Sequence, residues 1–216
     1  MRPTRPLPQS LVQRYQGWKA TTFAQNSAWY RRLAIEGQRP RAMVISCCDS
    51  RVNVMSIFGA EQGEFFVHRN IANLVPPYEP DGQMHGTSAA IEYAVTALHV
   101  AQIMVVGHSE CGGVKGCAQM CSGEAPELEA GDSFVGRWMD LLRPAWELVK
   151  DIDDPHDRLE ALEKRGVLTS IDNLMTFPFV AQAVESGDLA LHGLWNNITE
   201  GVVEIYDNQK DAFIPL

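Results

Sequence analysis

Two short apolar runs, set among segments of helical periodicity, predict an α/β fold built on a mainly parallel sheet. Ala42-Met43-Val44-Ile45 and Ile103-Met104-Val105-Val106 are continuous and rich in branched residues, as strands covered on both faces are. Around them, apolar residues recur at three-to-four spacing, the period of an amphipathic helix. Strands alternating with helices place helices on both faces of one sheet. A helical arm precedes the first strand, which divides the chain into an arm at 1–37 and an α/β domain at 38–216.

The elements follow in order. Residues 1–8 carry three prolines and two arginines and read as an arm end. From Ser10 onward Leu11, Tyr15, Trp18, Phe23, Trp29, Tyr30, Leu33 and Ile35 mark helix, with Gly17 expected to divide it and Gly37 and Pro40 to stop it. So many aromatic residues need a surface, either within the arm or on a partner subunit. Strands are expected at 41–48, 64–69 and 102–107, with a terminal pair at 189–194 and 202–206. Helices are expected at 85–99, 112–120, 134–149, from Pro155 to about 175, and at 180–185. Pro76, Pro77 and Pro80 punctuate the loop at 70–81.

Bulk properties exclude several functions. The 216 residues suffice for one sizeable core, and 45% hydrophobic with 21% charged residues is a soluble, globular composition. A net charge of −9 argues against nucleic acid and anionic membrane as partners, because both need basic patches. The stretch at 89–106 is interrupted by Glu92, Thr96, His99 and Gln102, too polar to span a bilayer. No apolar h-region follows the first residues, so no secretory signal is expected. Five cysteines, an odd number, do not form a secreted disulfide framework, and a cytoplasmic location follows.

The chemistry lies at the ends of two strands. Ser46-Cys47-Cys48-Asp49-Ser50-Arg51 closes one apolar run and His108-Ser109-Glu110-Cys111 closes another. Successive strand residues face opposite ways, so Cys47, Asp49 and Arg51 share a phase and Cys48 is expected to be a small buried hydrophobe. His108 and Cys111, on a strand-to-helix turn, can converge on the same ion as Cys47. Two thiolates and an imidazole suit zinc rather than magnesium or calcium. Three protein ligands leave a fourth position open, the pattern of catalytic rather than structural zinc. In open α/β sheets such sites lie beyond the C-terminal strand ends, where both motifs fall. Asp49 is placed either to accept a hydrogen bond from the zinc-bound nucleophile or to ligate zinc itself. Arg51 is a two-pronged donor suited to hold that carboxylate away from the metal. Cys117 and Cys121 are competing thiols, expected on a helix and reduced.

These motifs resemble those of the β-class carbonic anhydrases, in the plant-like, open-site branch. The resemblance rests on Cys47 to Val52, Phe66-Val67-His68-Arg69-Asn70-Ile71-Ala72-Asn73, Gly86 to Tyr93 and His108 to Gly113, with a weaker match at Leu191 to Trp195. It implies zinc on Cys47, His108 and Cys111, an Asp49–Arg51 dyad, and reversible hydration of CO2 to bicarbonate and a proton by zinc-hydroxide attack. Gln38 stands where that branch places a substrate-positioning amide; Phe66, Ile71 and Tyr93 match its apolar pocket, and the Gly112 N–H is an orienting donor. The resemblance also implies a homodimer or higher homo-oligomer, with the N-terminal helices embracing the partner. Hydrolysis of a CO2-like molecule such as CS2 or COS is the alternative reaction on the same scaffold. His68, His85 and His99 are candidate proton shuttles, because imidazole titrates near neutral pH.

Overall fold

The computed structural model describes residues 3–82 and 85–216. It divides into a first unit ending at Arg39 and a second running from Pro40 to Leu216.

In the first unit, helix α1 (Gln9–Trp18) continues into a π-helical turn (Lys19–Phe23), and α2 (Ser27–Glu36) follows. The helix passes through Gly17, where a side chain would meet only open space, and the break falls at Asn26 instead. Gly17 was expected to divide the arm; a lone glycine lowers helix propensity without ending a helix that aromatic contacts support. Those contacts join Trp18, Phe23 and Tyr30, with ring centroids 5.2 to 5.9 Å apart. Gly37 ends α2 at a φ of +79°, a conformation glycine adopts without strain.

The second unit is a six-stranded sheet in the order β2-β1-β3-β4-β5-β6. Strands β1 (Ala42–Cys47), β2 (Phe65–Asn70), β3 (Gln102–His108) and β4 (Ala190–Asn197) are parallel; β5 (Val202–Asp207) and β6 (Ala212–Pro215) continue the sheet antiparallel. The α/β expectation holds, and the terminal strands extend the sheet by a hairpin that includes β6, a strand of four residues too short to show a period.

All six residues of β1 are buried, which explains its unbroken apolar sequence. Met43 and Ile45 with Ile103 and Val105 face a core built with Ile91, Val167, Leu174 and Phe177. Val44, Val106 and Leu194 face the other side, toward Val52 and Val54. The helices of this unit are α3 (Val54–Ile57), α4 (His85–Glu92), α5 (Gly112–Cys121), α6 (Phe134–Met139), α7 (Arg143–Val149), α8 (Pro155–Leu174) and α9 (Pro178–Glu185). The segment expected as one helix at 134–149 is split by a 3-10 turn at Asp140–Leu142, ahead of Pro144 in the first turn of α7. Helix α8 starts at an Asp154 cap that accepts the N–H groups of His156 and Asp157 at 2.8 and 3.0 Å.

From β1 the chain crosses to β2 on one side and then to β3 on the other. This makes the C-terminal ends of β1 and β3 a topological switch point, the place where open α/β sheets form their clefts.

Candidate metal centre

Cys47 ends β1, His108 ends β3, and Cys111 caps the N-terminus of α5. Their ligand atoms all lie within 4.8 Å of one another, and the two sulfurs are 3.9 Å apart. Between His108 and Cys111 the chain turns through Glu110 at a φ of +55°, a left-handed conformation that a glutamate pays strain to hold. That turn brings two residues three apart onto one point. His108 is 1% exposed, and its Nδ1 lies 2.9 Å from the Ser109 carbonyl. Its Nε2 is buried and, among the described residues, has no hydrogen-bond partner. An imidazole oriented through one nitrogen, with the other left unpartnered in a cluster with two thiols, is the arrangement a metal-ligating histidine takes. The donor set and the orphaned nitrogen fit zinc.

The electrostatics run the same way. The Cys47 thiol is pushed down, first by the sulfur of Cys111, whose S–H can donate to a Cys47 thiolate, and against its own burial; Cys111 is pushed up in return. Burial pushes His108 down, but the neighbouring Cys47 sulfur and the Ser109 carbonyl, both favouring the charged ring, outweigh it, and the net shift is upward.

Asp49 and Arg51 face each other beside this cluster. Arg51 Nε donates to Oδ1 at 2.9 Å and Nη2 to Oδ2 at 2.6 Å, while the Arg51 main-chain N–H also donates to Oδ1 at 2.9 Å. Those bonds hold the Asp49 carboxyl well below the usual carboxylate range. Arg51 Nη2 reaches on to the Glu110 carbonyl at 2.8 Å, tying the two ligand loops together.

Cys48 differs from expectation. It is exposed and lines a cavity of about 560 Å³, rather than packing as a buried hydrophobe. The chain leaves β1 at Cys47, so strict strand alternation no longer governs the next residue. Ile71 lines the same cavity and is 40% exposed. Phe66 is half-buried against the first core, and its ring lies 5.8 Å from that of exposed Tyr93. Gly112 opens α5 directly after Cys111. Gln38 belongs to the first unit, where it is exposed. Cys117 and Cys121 sit on α5 with their sulfurs 4.0 Å apart.

Two supporting residues were not singled out from the sequence. Arg69 donates to the carbonyls of Cys47, Asp49 and Val52 at 2.7 to 2.9 Å, which fixes the loop carrying the dyad. Glu163, 3% exposed on α8, accepts the Cys111 N–H at 2.9 Å and the Trp195 indole N–H at 3.1 Å. Burial raises its carboxyl to about 7. Its signal was present: Leu162, Glu163, Gly166, Val167, Ser170 and Leu174 form the buried stripe of α8, and a glutamate within an apolar stripe marks a buried partner. Helix α8 comes this close because Gly107 leaves room for it; a Cβ there would lie 2.6 Å from Val167 Cγ2.

Sheet, switch point and cluster together define an α/β protein with a soft-donor site between two parallel strand ends. The family model described as carbonic anhydrase matches residues 42–203, and the chain belongs to that family, in its β class. It is 35% identical over 193 residues to beta carbonic anhydrase 3 of Arabidopsis thaliana, covering 88% of this chain and 73% of that one. A carbonic anhydrase of Synechocystis sp. is 34% identical over 209 residues, 95% of this chain and 73% of its own. Among solved structures, the β-carbonic anhydrase CcaA superposes with a TM-score of 0.87 at 33% identity, covering 96% of this chain and 91% of that one. One of two β-carbonic anhydrases from Sordaria macrospora, described as tetrameric, gives 0.76 at 30% identity, with 91% and 95% covered.

Proposed function

We propose that the protein is a zinc-dependent carbonic anhydrase, a lyase that interconverts CO2 and bicarbonate. The observation that carries this reading is a buried His108 with an orphaned Nε2, clustered with the Cys47 and Cys111 thiols beside an Asp49 that Arg51 holds. Cys47, His108 and Cys111 are the proposed ligands; zinc held there supplies the Lewis acidity that brings ionisation of water from about 15.7 toward roughly 7.

The remaining chemistry belongs to the chain. Asp49, kept ionised, accepts a hydrogen bond from the attacking oxygen and fixes the direction of its lone pair. Arg51 keeps that carboxylate paired and so away from the metal, which supports the open-site branch of the family. Phe66, Ile71 and Tyr93 offer apolar surface suited to CO2, which has little to hydrogen-bond. The Gly112 N–H orients an oxygen of CO2 or bicarbonate, and the family resemblance gives the Gln38 amide the same task.

A homo-oligomer is part of the same reading. Tyr15, Trp18 and Ile35 on the first unit are 56%, 41% and 76% exposed, and Phe134 on the second is 87% exposed. Such surfaces favour a second copy, in keeping with the tetrameric Sordaria relatives. A cytoplasmic, reducing setting suits five unpaired cysteines. Among the described residues no helix is long and apolar enough to cross a membrane.

Stopped-flow CO2 hydration by protein of measured zinc content tests the proposal. The expected result is hydration that scales with zinc. Turnover of CS2 or COS without CO2 hydration would overturn it.

A further inference from the structure

We infer that His68 relays protons between the metal centre and solvent along the wall of the cavity beside Cys48. The inference rests on the carbonic anhydrase reading. Hydration of CO2 consumes one water and yields one bicarbonate and one proton, and that proton has to leave a cluster whose three ligands are 1% to 4% exposed.

The cavity provides the route. It is lined by Cys48, next in the chain to Cys47, by Asn70, the register partner of Cys47, and by Ile71. Exposed His85 lines the same cavity. His68 lines it from β2, two residues before Asn70 on the same face of the strand. At about 560 Å³ the cavity has room for a chain of waters.

The partner of the ring is suited to a relay. His68 Nε2 lies 3.0 Å from Thr87 Oγ1, and Thr87 Oγ1 accepts from Asn70 Nδ2 at 3.3 Å. A threonine hydroxyl both donates and accepts. It donates to Nε2 when the ring is neutral and accepts from Nε2–H when the ring is protonated. The contact between Nε2 and Oγ1 can therefore persist in both charge states, with the hydroxyl turning between its two roles. Burial pulls the imidazole below its ordinary value, which favours release of the proton it takes up. The other titratable or charged groups on this cavity are Cys48, His85 and Arg137. Arg137 opposes a lasting positive charge on the ring.

The test compares wild-type, His68→Ala and His68→Gln proteins, zinc-loaded, in weak and strong buffer. With the relay in place, His68→Ala lowers kcat roughly tenfold in weak buffer, leaves kcat/KM within about twofold, and recovers kcat when imidazole is added. Glutamine can keep a hydrogen bond to Thr87 but cannot titrate, so His68→Gln behaves as His68→Ala. Histidine NMR of the zinc-loaded wild type gives a readout apart from turnover: one ring assigned to His68 titrates within about pH 5 to 8. An unchanged kcat in weak buffer, full activity of His68→Gln, or a His68 ring that does not titrate would each overturn the relay. Wild-type protein that binds zinc and hydrates no CO2 would overturn the carbonic anhydrase reading, and the relay with it.

Discussion

Arg51 grips the Asp49 carboxylate at two points, Nε on Oδ1 and Nη2 on Oδ2, and with the same Nη2 holds the Glu110 carbonyl of the opposite ligand loop. One guanidinium therefore sets both the charge of Asp49 and the spacing of the two loops that carry Cys47 and Cys111. Arg51→Ala frees the carboxylate to turn toward the metal. The expected loss is roughly 10- to 100-fold in CO2 hydration, the range seen when a partner that orients a metal site is removed. X-ray absorption on the zinc of the variant should show an added carboxylate oxygen. Arg51→Lys keeps the charge without the fork and should not restore the wild-type rate. Wild-type coordination that is the same at neutral and mildly acidic pH is also expected. Asp49 is held below its ordinary value, so the pairing is complete above the unfolded carboxylate value and is lost only as pH falls through the lower, folded one.

The metal-free protein leaves His108 Nε2 buried with no partner among the described residues. An unsatisfied buried polar group costs about 1–3 kcal/mol. Zinc removal by a chelator should therefore lower the melting temperature and abolish hydration, and added zinc should restore both. Cys47→Ser should bind zinc less tightly by at least roughly tenfold and show a smaller thermal response to zinc. Metal analysis with thermal melts checks this. A Cys47→Ser protein with stoichiometric zinc and full activity would count against Cys47 as a ligand.

The sheet and the three-residue cluster were legible in the sequence because each rests on a local signal. Buried parallel strands have unbroken apolar runs, and Cys47, His108 and Cys111 sit where those runs stop. Cys48 was misread because alternation was carried one residue past the end of β1. The Gly17 break was misread because propensity alone does not end a helix. Arg69 and Glu163 act through contacts 17 to 52 residues away in the chain, and no pattern around Arg69 marks it as a loop clamp. Glu163 did carry a signal, a charge within an apolar helical stripe, visible only once α8 is read as an amphipathic face.

That buried carboxyl makes a pH prediction. Glu163 is raised from an ordinary value of 4.5 to about 7 by burial. A raised folded value means the stabilising form is the protonated one. Its contribution is fully present below about pH 4.5 and is lost as pH rises through about 7. At roughly 1.4 kcal/mol per unit the span is on the order of 3 kcal/mol in metal-free protein. Glu163→Gln should flatten that part of the stability-against-pH curve, as read by denaturant midpoints between pH 4.5 and 8. An unaltered slope would show that Glu163 does not titrate in that window.

Two neighbouring glycines at the start of α5 should respond oppositely to alanine. At Gly113 a Cβ would lie 2.7 Å from Ile71 Cγ2 and 3.2 Å from Ala72 Cβ. Ile71 is β-branched and Ala72 is buried at a φ of +61°, so neither neighbour can easily give way. Gly113→Ala should cost about 1–3 kcal/mol, the usual penalty for overpacking. The same displacement pushes the first turn of α5 outward, and Cys111 with it, so zinc affinity should fall together with stability. At Gly112 a Cβ meets nothing within 4 Å. Gly112→Ala should be neutral or stabilising by up to about 1 kcal/mol, since alanine favours helix over glycine. Urea denaturation of both variants, with zinc titrations alongside, separates the cases. Equal behaviour of the two would mean that close packing of α5 on Ile71 and Ala72 does not set the position of the ligand.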